Sequence, residues 1–200
     1  MKNRKSFLIT VDAILFVVLV FLDQITKYLA ITHLKDGTDV VLIDKVFRLH
    51  YLENRGAAFG MLQNQKIFFI FIAIVILAAI CYVIFRMPNK KKYTAFHILL
   101  GIIAAGAVGN MIDRFRFDYV VDFLYFELIN FPIFNVADIY VTCATILLAG
   151  LLLFYYKEED LKFLSIRPKK YREVKLQEAE SATEKEQKEE TATASDEEKA

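Results

Sequence analysis

The sequence predicts an all-α membrane protein: four transmembrane helices with a small extracytoplasmic β-sheet and an interfacial loop. Three observations carry this. First, 56% of the 200 residues are hydrophobic and 24% charged, yet the two kinds are segregated along the chain. Four apolar blocks, at about 7–30, 67–85, 93–112 and 136–156, reach the roughly 20 residues needed to cross a bilayer core of about 30 Å. Second, basic residues collect on one side of the alternating spans. Third, the segment after the first block alternates between apolar and polar residues.

The first span, Phe7–Ala30, follows Lys2, Arg4 and Lys5. It is longer than a signal-peptide core and has no small-residue cleavage pattern after it, so it reads as a retained anchor. Arg86 and Lys90–Lys92 lie between spans two and three, Ile67–Phe85 and Tyr93–Ile112. Lys157, Lys162, Arg167, Lys169, Lys170 and Arg172 follow span four, Val136–Tyr156. Such clusters mark the cytoplasmic side, which places both termini in the cytoplasm and the two intervening loops outside. The first outer loop contains two short strand-like runs, Asp39–Ile43 and Val46–Leu52, joined at Asp44-Lys45. In the second, Phe47, Leu49 and Tyr51 alternate with Arg48 and His50, the period of a half-buried strand. A tight turn is expected over Asn54–Gly60, where Gly56 and Gly60 bracket small residues. The second outer loop, Phe115–Phe134, is rich in aromatic rings, which favour the membrane–water interface. Span three carries Gly101, Ala104, Ala105, Gly106, Ala107 and Gly109, small residues that let helix backbones approach; helix packing is sufficient reason for Gly101 and Ala104.

Residues 1–160 thus form one four-helix domain, and 161–200 a charged cytoplasmic tail. From Leu176 onward the tail has nine acidic and three basic residues and no aromatic one, so disorder is expected from about residue 174. The net charge of +1 gives no basic face for nucleic acid. Cys81 and Cys143 lie inside apolar spans and read as small residues facing lipid or other helices, neither a disulfide framework nor a metal-ligand set. His33, His50 and His97 do not cluster, so no metal or other cofactor is expected. Asp12, near the cytoplasmic end of span one, is expected to snorkel or pair locally. No serine or cysteine stands beside a histidine at the outer end of the spans, which argues against a nucleophilic triad.

Ionisable groups inside a membrane are costly and therefore informative. Asp23 and Lys27 sit four apart near the outer end of span one. Asn110, Asp113 and Arg114 share a face where span three ends, and Asn135 and Asp138 open span four. Asp122 is set in the apolar run Val120–Phe123, and Asn54 and Arg55 belong to the outer loop. These five stretches bring their polar groups to one membrane depth. Two neighbouring carboxylates, Asp122 and Asp138, would share a proton, one acting as base toward water and the other as acid toward a carbonyl. Salt bridges of either acid with Arg114 or Lys27 are the competing reading of the same residues.

Four blocks carry a resemblance: Asp23-Gln24-Ile25-Thr26-Lys27; Asn54-Arg55-Gly56-Ala57-Ala58-Phe59-Gly60; Gly109-Asn110-Met111-Ile112-Asp113-Arg114 leading to Val120-Val121-Asp122-Phe123; and Phe134-Asn135-Val136-Ala137-Asp138. In this order and spacing, over roughly residues 7–156, the chain resembles the lipoprotein signal peptidases (signal peptidase II), membrane aspartic endopeptidases. The resemblance implies that Asp122 and Asp138 are the catalytic pair. Asn54, Asn110, Arg114 and Asn135 would support it, with Asp23, Lys27 and Asp113 structural or substrate-orienting. It implies as substrate a bacterial prolipoprotein whose cysteine bears a diacylglyceryl group, cut on the N-terminal side of that cysteine. It further implies a multi-pass protein of the plasma (inner) membrane, in contact with membrane lipid, its site at the extracytoplasmic face; a monomer is expected. Two positions depart from the family pattern. Asp118 stands where glycine is usual, a place aspartate can fill at positive φ at modest cost. Ala105 precedes Gly106 where a second glycine is common, and packing is expected to absorb its methyl. A proton relay through Asp23, Asp113, Asp122 and Asp138 is a rival reading, but it needs acids staggered through the membrane depth. A non-catalytic scaffold is another, which an Asp122→Asn variant would separate from an enzyme.

Overall fold

The computed structural model describes residues 2–56 and 61–165; the turn expected over Asn54–Gly60 falls partly, and the charged tail beyond 165 wholly, outside them. The chain divides into one compact unit, Met1–Phe163, and a remainder, Leu164–Ala200. In the compact unit, the described residues hold four helices long and apolar enough to cross a membrane.

Helix α1 spans Lys2–Leu34, α2 Lys66–Arg86, α3 Thr94–Phe117 and α4 Val136–Gly150, the last continuing as one wide π turn over Leu151–Tyr155. At 1.5 Å per residue, the 33 residues of α1 reach about 50 Å, well beyond a bilayer core of about 30 Å. Its last turn runs past the expected end at residue 30, and Ala30 and Leu34 are buried beneath the sheet. Helix α3 is the hub, packed against α1, α2 and α4. The small residues that matter there are Gly106 and Gly109. A methyl on Gly106 would lie 2.6 Å from the Ala137 carbonyl oxygen, and one on Gly109 would run into the Asp23 carboxylate. Gly101 has no neighbour nearer than Asp12 at 4.0 Å, so close approach is required one to two turns further along. The Ala105 methyl is fully buried, as expected.

The Asp12 carboxylate lies against His97 Nδ1, a contact that joins α1 to α3. Asp12 therefore pairs across helices, which corrects the expectation of a local partner. At the same end of the bundle Tyr93 stacks on Tyr156 at 5.6 Å, and Phe96 and Phe163 close the cluster edge-on.

The sheet has three antiparallel strands in the order β1 (Val40–Ile43), β2 (Phe47–Asn54), β3 (Val120–Phe126). The first two match the expected runs, and Lys45 turns between them at φ 56°. The third corrects the expectation of a loop over 115–134: α3 continues to Phe117, and the apolar run after it is a strand. Leu49, Tyr51, Val121 and Phe123 pack on the end of α1. By the two-residue period, Arg48, His50 and Asn54 take the opposite face. Asp118 ends α3 at φ 67°, the left-handed conformation anticipated at that usual glycine position, and its carboxylate meets Lys66.

Candidate active site

The start of α4 fixes one carboxylate. Asn135 is the N-cap: its side chain accepts from the Asp138 backbone N–H at 3.0 Å, and the Asp138 carboxylate accepts from the Asn135 N–H at 3.1 Å. This reciprocal box holds Asp138 in the first turn, where the aligned peptide dipoles favour negative charge. The other oxygen of Asp138 accepts from Asn110 Nδ2 at 2.7 Å.

Asp122 arrives on β3, drawn into the sheet by the β-branched and aromatic residues around it, and is 1% exposed. It accepts from Asn54 Nδ2 at 2.8 Å and Asn135 Nδ2 at 2.6 Å. The Gly56 N–H donates to Asn54 Oδ1 at 2.9 Å, which turns the amide so that its nitrogen faces Asp122. Asn135 therefore touches both carboxylates. Burial and the neighbouring Asp138 charge push the Asp122 carboxyl up to about 7.

A second polar group lies behind the first. Lys27 is 3.0 Å from Asp23 and 3.0 Å from Asp113, and its ammonium donates to Asn110 Oδ1 at 2.8 Å. Asp23 also accepts from the Ala137 N–H of α4 at 2.9 Å, and Asp113 from the Val121 N–H of β3 at 3.1 Å. Gln24 donates to Asp113 at 2.9 Å and to the Gly109 carbonyl at 3.2 Å. These bonds stitch α1, α3, α4 and β3 together, so the second group fixes the elements that carry the first.

Arg114 lies over the Phe69 ring at 4.6 Å and donates to the carbonyls of Asn110 and Gly56 at 3.3 and 3.4 Å. Its planar fork thus meets backbone oxygens. Asp122, Asp138, Asn54, Asn110 and Arg114 line one cavity of about 500 Å³. Its other walls are largely apolar, running from Phe69 of α2 past Phe131, Ile133 and Phe134 to Ile139 and Cys143 of α4.

Of the residues singled out in sequence, Asp23, Lys27, Asn54, Asn110, Asp113, Arg114, Asp122, Asn135 and Asp138 converge. Arg55 does not: it pairs with Glu53 and covers the Tyr119 ring. The salt-bridge alternative is not what forms, since the ion pairs of Lys27 are with Asp23 and Asp113, while the partners of Asp122 and Asp138 are amides. Cys143 is free and exposed, as is Cys81, and it also lines the cavity. Gln24 was missed as a site residue; its only signal was a second polar side chain beside Asp23 within an apolar helix. Phe69 carried no polar signal at all.

The family model for signal peptidase (SPase) II matches residues 15–154. The chain belongs to the signal peptidase II family. This peptidase is 41% identical over 160 residues to a lipoprotein signal peptidase of Clostridium tetani, an alignment covering 77% of this chain and 99% of the relative. It is 46% identical over 136 residues to a lipoprotein signal peptidase of Caldanaerobacter subterraneus, covering 68% and 90%. A solved bacterial membrane enzyme, obtained by the in meso method, superposes with a TM-score of 0.66 at 34% identity, covering 75% of this chain and 93% of that one. The signal peptidase II chain is accordingly a multi-pass membrane peptidase.

Proposed function

We propose that this peptidase cleaves the signal peptide from diacylglyceryl-modified prolipoproteins, N-terminal to the lipidated cysteine, with Asp122 and Asp138 as its catalytic pair. The observation that carries the reading is that both carboxylates face one largely apolar cavity, share Asn135 as a partner, and have no cation bonded to either among the described residues. Asp138, at a helix N-terminus, takes a proton from water as the resulting hydroxide attacks the scissile carbonyl carbon. Asp122, whose carboxyl lies near 7, gives its proton to the carbonyl oxygen. The tetrahedral diol then collapses: the C–N bond breaks, the leaving amine takes a proton from Asp138, and Asp122 recovers its own from the diol hydroxyl. No bond forms between enzyme and substrate.

Asn54 and Asn110 hold the two carboxylates in place, Arg114 and the 131–134 segment present the substrate backbone, and Asp23, Lys27 and Asp113 fix the frame. The apolar walls between α2 and α4 suit acyl chains and a signal helix. One chain supplies every residue invoked, consistent with action as a monomer. The basic residues Lys90, Lys91 and Lys157 at the far end of the bundle support cytoplasmic termini and an extracytoplasmic site.

The test is cleavage of a lipidated precursor by the purified protein, beside Asp122→Asn, Asp138→Asn and the unlipidated precursor. Cleavage by wild type alone, and of lipidated precursor alone, is expected. Substantial turnover in either variant would refute the dyad, and equal cleavage of unlipidated precursor would refute the substrate class.

A further inference from the structure

A second cavity, of about 780 Å³, adjoins the first and shares Asn54 and residues Phe131–Ile133 with it. It lies over the same face of the sheet. Strand β2 presents Asn54 to the catalytic cavity at one end, then Leu52, His50 and Arg48 to the second cavity as the strand recedes. Strand β3 does the same, with Asp122 at one end and Tyr125 at the other. The six-residue step from Asn54 to Arg48 is about 20 Å at 3.3 Å per residue, so an extended polypeptide of about six residues fits along it.

The character of the two cavities differs. The catalytic cavity is walled by apolar side chains, whereas the second is walled by Asp39, Arg48, His50, Glu53, Tyr125 and Glu127. Arg48 is held between Asp39 at 3.2 Å and Glu127, and His50 Nδ1 lies 2.8 Å from Asp39. Two carboxylates thus face one guanidinium, the hydrogen bond from Arg48 holding Glu127 below the usual carboxylate range, while Glu53 is paired with Lys35 at 3.0 Å and with Arg55 at 3.3 Å. With Glu53 so paired, Asp39 and Glu127 outnumber the Arg48 guanidinium by one carboxylate.

A lipidated precursor has two unlike halves about the scissile bond: an apolar signal segment on one side and the polar start of the mature polypeptide on the other. Resting on the peptidase reading above, we infer that the cavity over Arg48, His50 and Tyr125 is the subsite for the first residues of the mature polypeptide. Its excess of carboxylates discriminates against acidic residues there. Asp39 and Glu127 are then specificity determinants, and Arg48 positions both of them.

The experiment uses three lipidated precursors that differ only in residues three to five after the cysteine, all neutral, all lysine or all aspartate. Wild type is expected to show a KM roughly threefold to tenfold higher for the aspartate precursor than for the neutral one, the size of a part-exposed charge interaction, narrowing as salt is raised. The lysine precursor should fall at or below the neutral one. Glu127→Gln should shrink the KM difference between the aspartate and neutral precursors. Cleavage of all three with equal KM at low salt would overturn the inference while leaving the peptidase reading intact. Cleavage of none would overturn both. Because Glu127→Gln releases one side of Arg48 and some loss of folding would blur its kinetics, a second measurement leaves the cavity unaltered. A photo-crosslinker at the fourth residue after the cysteine, bound to Asp138→Asn, is expected to label peptides of β2 or β3. Labelling confined to α2 and α4 would place the mature segment elsewhere and refute the proposal.

Discussion

Replacing Asp122 by asparagine should change stability with a sign that depends on pH. The carboxyl lies near 7 against an ordinary value of 3.8, because burial and the Asp138 charge oppose its ionisation. At about 1.4 kcal/mol per unit, ionised Asp122 destabilises the fold by up to about 4 kcal/mol above pH 7. Between about 3.8 and 7 the folded chain holds a proton that the unfolded chain has released, so stability falls as pH rises through that window. Asparagine is neutral throughout and escapes this. It introduces a different cost: Asn54 and Asn135 both donate to Asp122, and an amide offers them one acceptor and one opposing donor. Asn54 is prevented from flipping by its bond from the Gly56 N–H. That mismatch costs about 1–3 kcal/mol. The variant should therefore lie within about 1 kcal/mol of wild type at pH 5, where ionisation of the unfolded chain has already taken roughly 1.6 kcal/mol from wild type, and be more stable than wild type at pH 9 by about 1–3 kcal/mol. For a chain of this size each kcal/mol moves the midpoint by roughly 2–4 °C, so thermal unfolding in detergent at the two pH values resolves it. A difference between variant and wild type that stays constant from pH 5 to 9 would refute the assignment of a strained carboxylate at 122.

Lys27→Met leaves the carboxylates of Asp23 and Asp113, 0% and 1% exposed, without their cation; a loss of roughly 3–5 kcal/mol is expected in thermal unfolding, and an unchanged midpoint would show that they need no counter-charge. Gly109→Ala sets a methyl against the Asp23 carboxylate and should lower stability by about 1–3 kcal/mol together with cleavage, whereas Gly101→Ala, whose methyl would meet Asp12 only at an ordinary contact of 4.0 Å, should do neither. Arg114→Lys keeps the charge and loses the planar fork that spans the Asn110 and Gly56 carbonyls over Phe69; kcat/KM should fall by roughly tenfold, and wild-type rates would reduce Arg114 to a surface charge.

The helices were legible because four long apolar runs have no other common explanation at this length. Strand β2 was legible because its residues alternate in polarity, Leu49 and Tyr51 packing on the end of α1 while Arg48 and His50 line the cavity on the other side. Strand β3 was hidden for the opposite reason: Val120, Val121, Asp122 and Phe123 are all buried, and a strand covered on both faces loses its alternation. The acids were legible as costly intramembrane groups, and the three-residue spacing of Asn135 and Asp138 placed them on one helix face. That the same pair closes a capping box follows from the backbone at 135, which spacing alone does not reveal. The Asp12–His97 pair was out of reach because the two residues lie on different helices, and no local pattern relates them. A salt bridge from Arg114 to a carboxylate was the competing reading; its carbonyl partners depend on how the 54–56 segment crosses α3.

On the proposed reading of Asp122 and Asp138 as a catalytic pair, the separation of the two polar groups keeps the Lys27 ammonium from bonding to either carboxylate. Were the Lys27 ammonium bonded to Asp122 or Asp138, it would favour the ionised form and remove the shared proton that acid–base chemistry needs. Instead Asp23 and Asp113 hold it, and it reaches the dyad through the Asn110 amide, whose oxygen accepts from Lys27 and whose nitrogen donates to Asp138. An amide passes on orientation and polarisation without passing on a charge. Three asparagines do this around the two carboxylates, satisfying their oxygens while leaving the negative charge under-compensated. The buried ion group therefore builds the frame, and the amides keep its positive charge from quenching the site it supports.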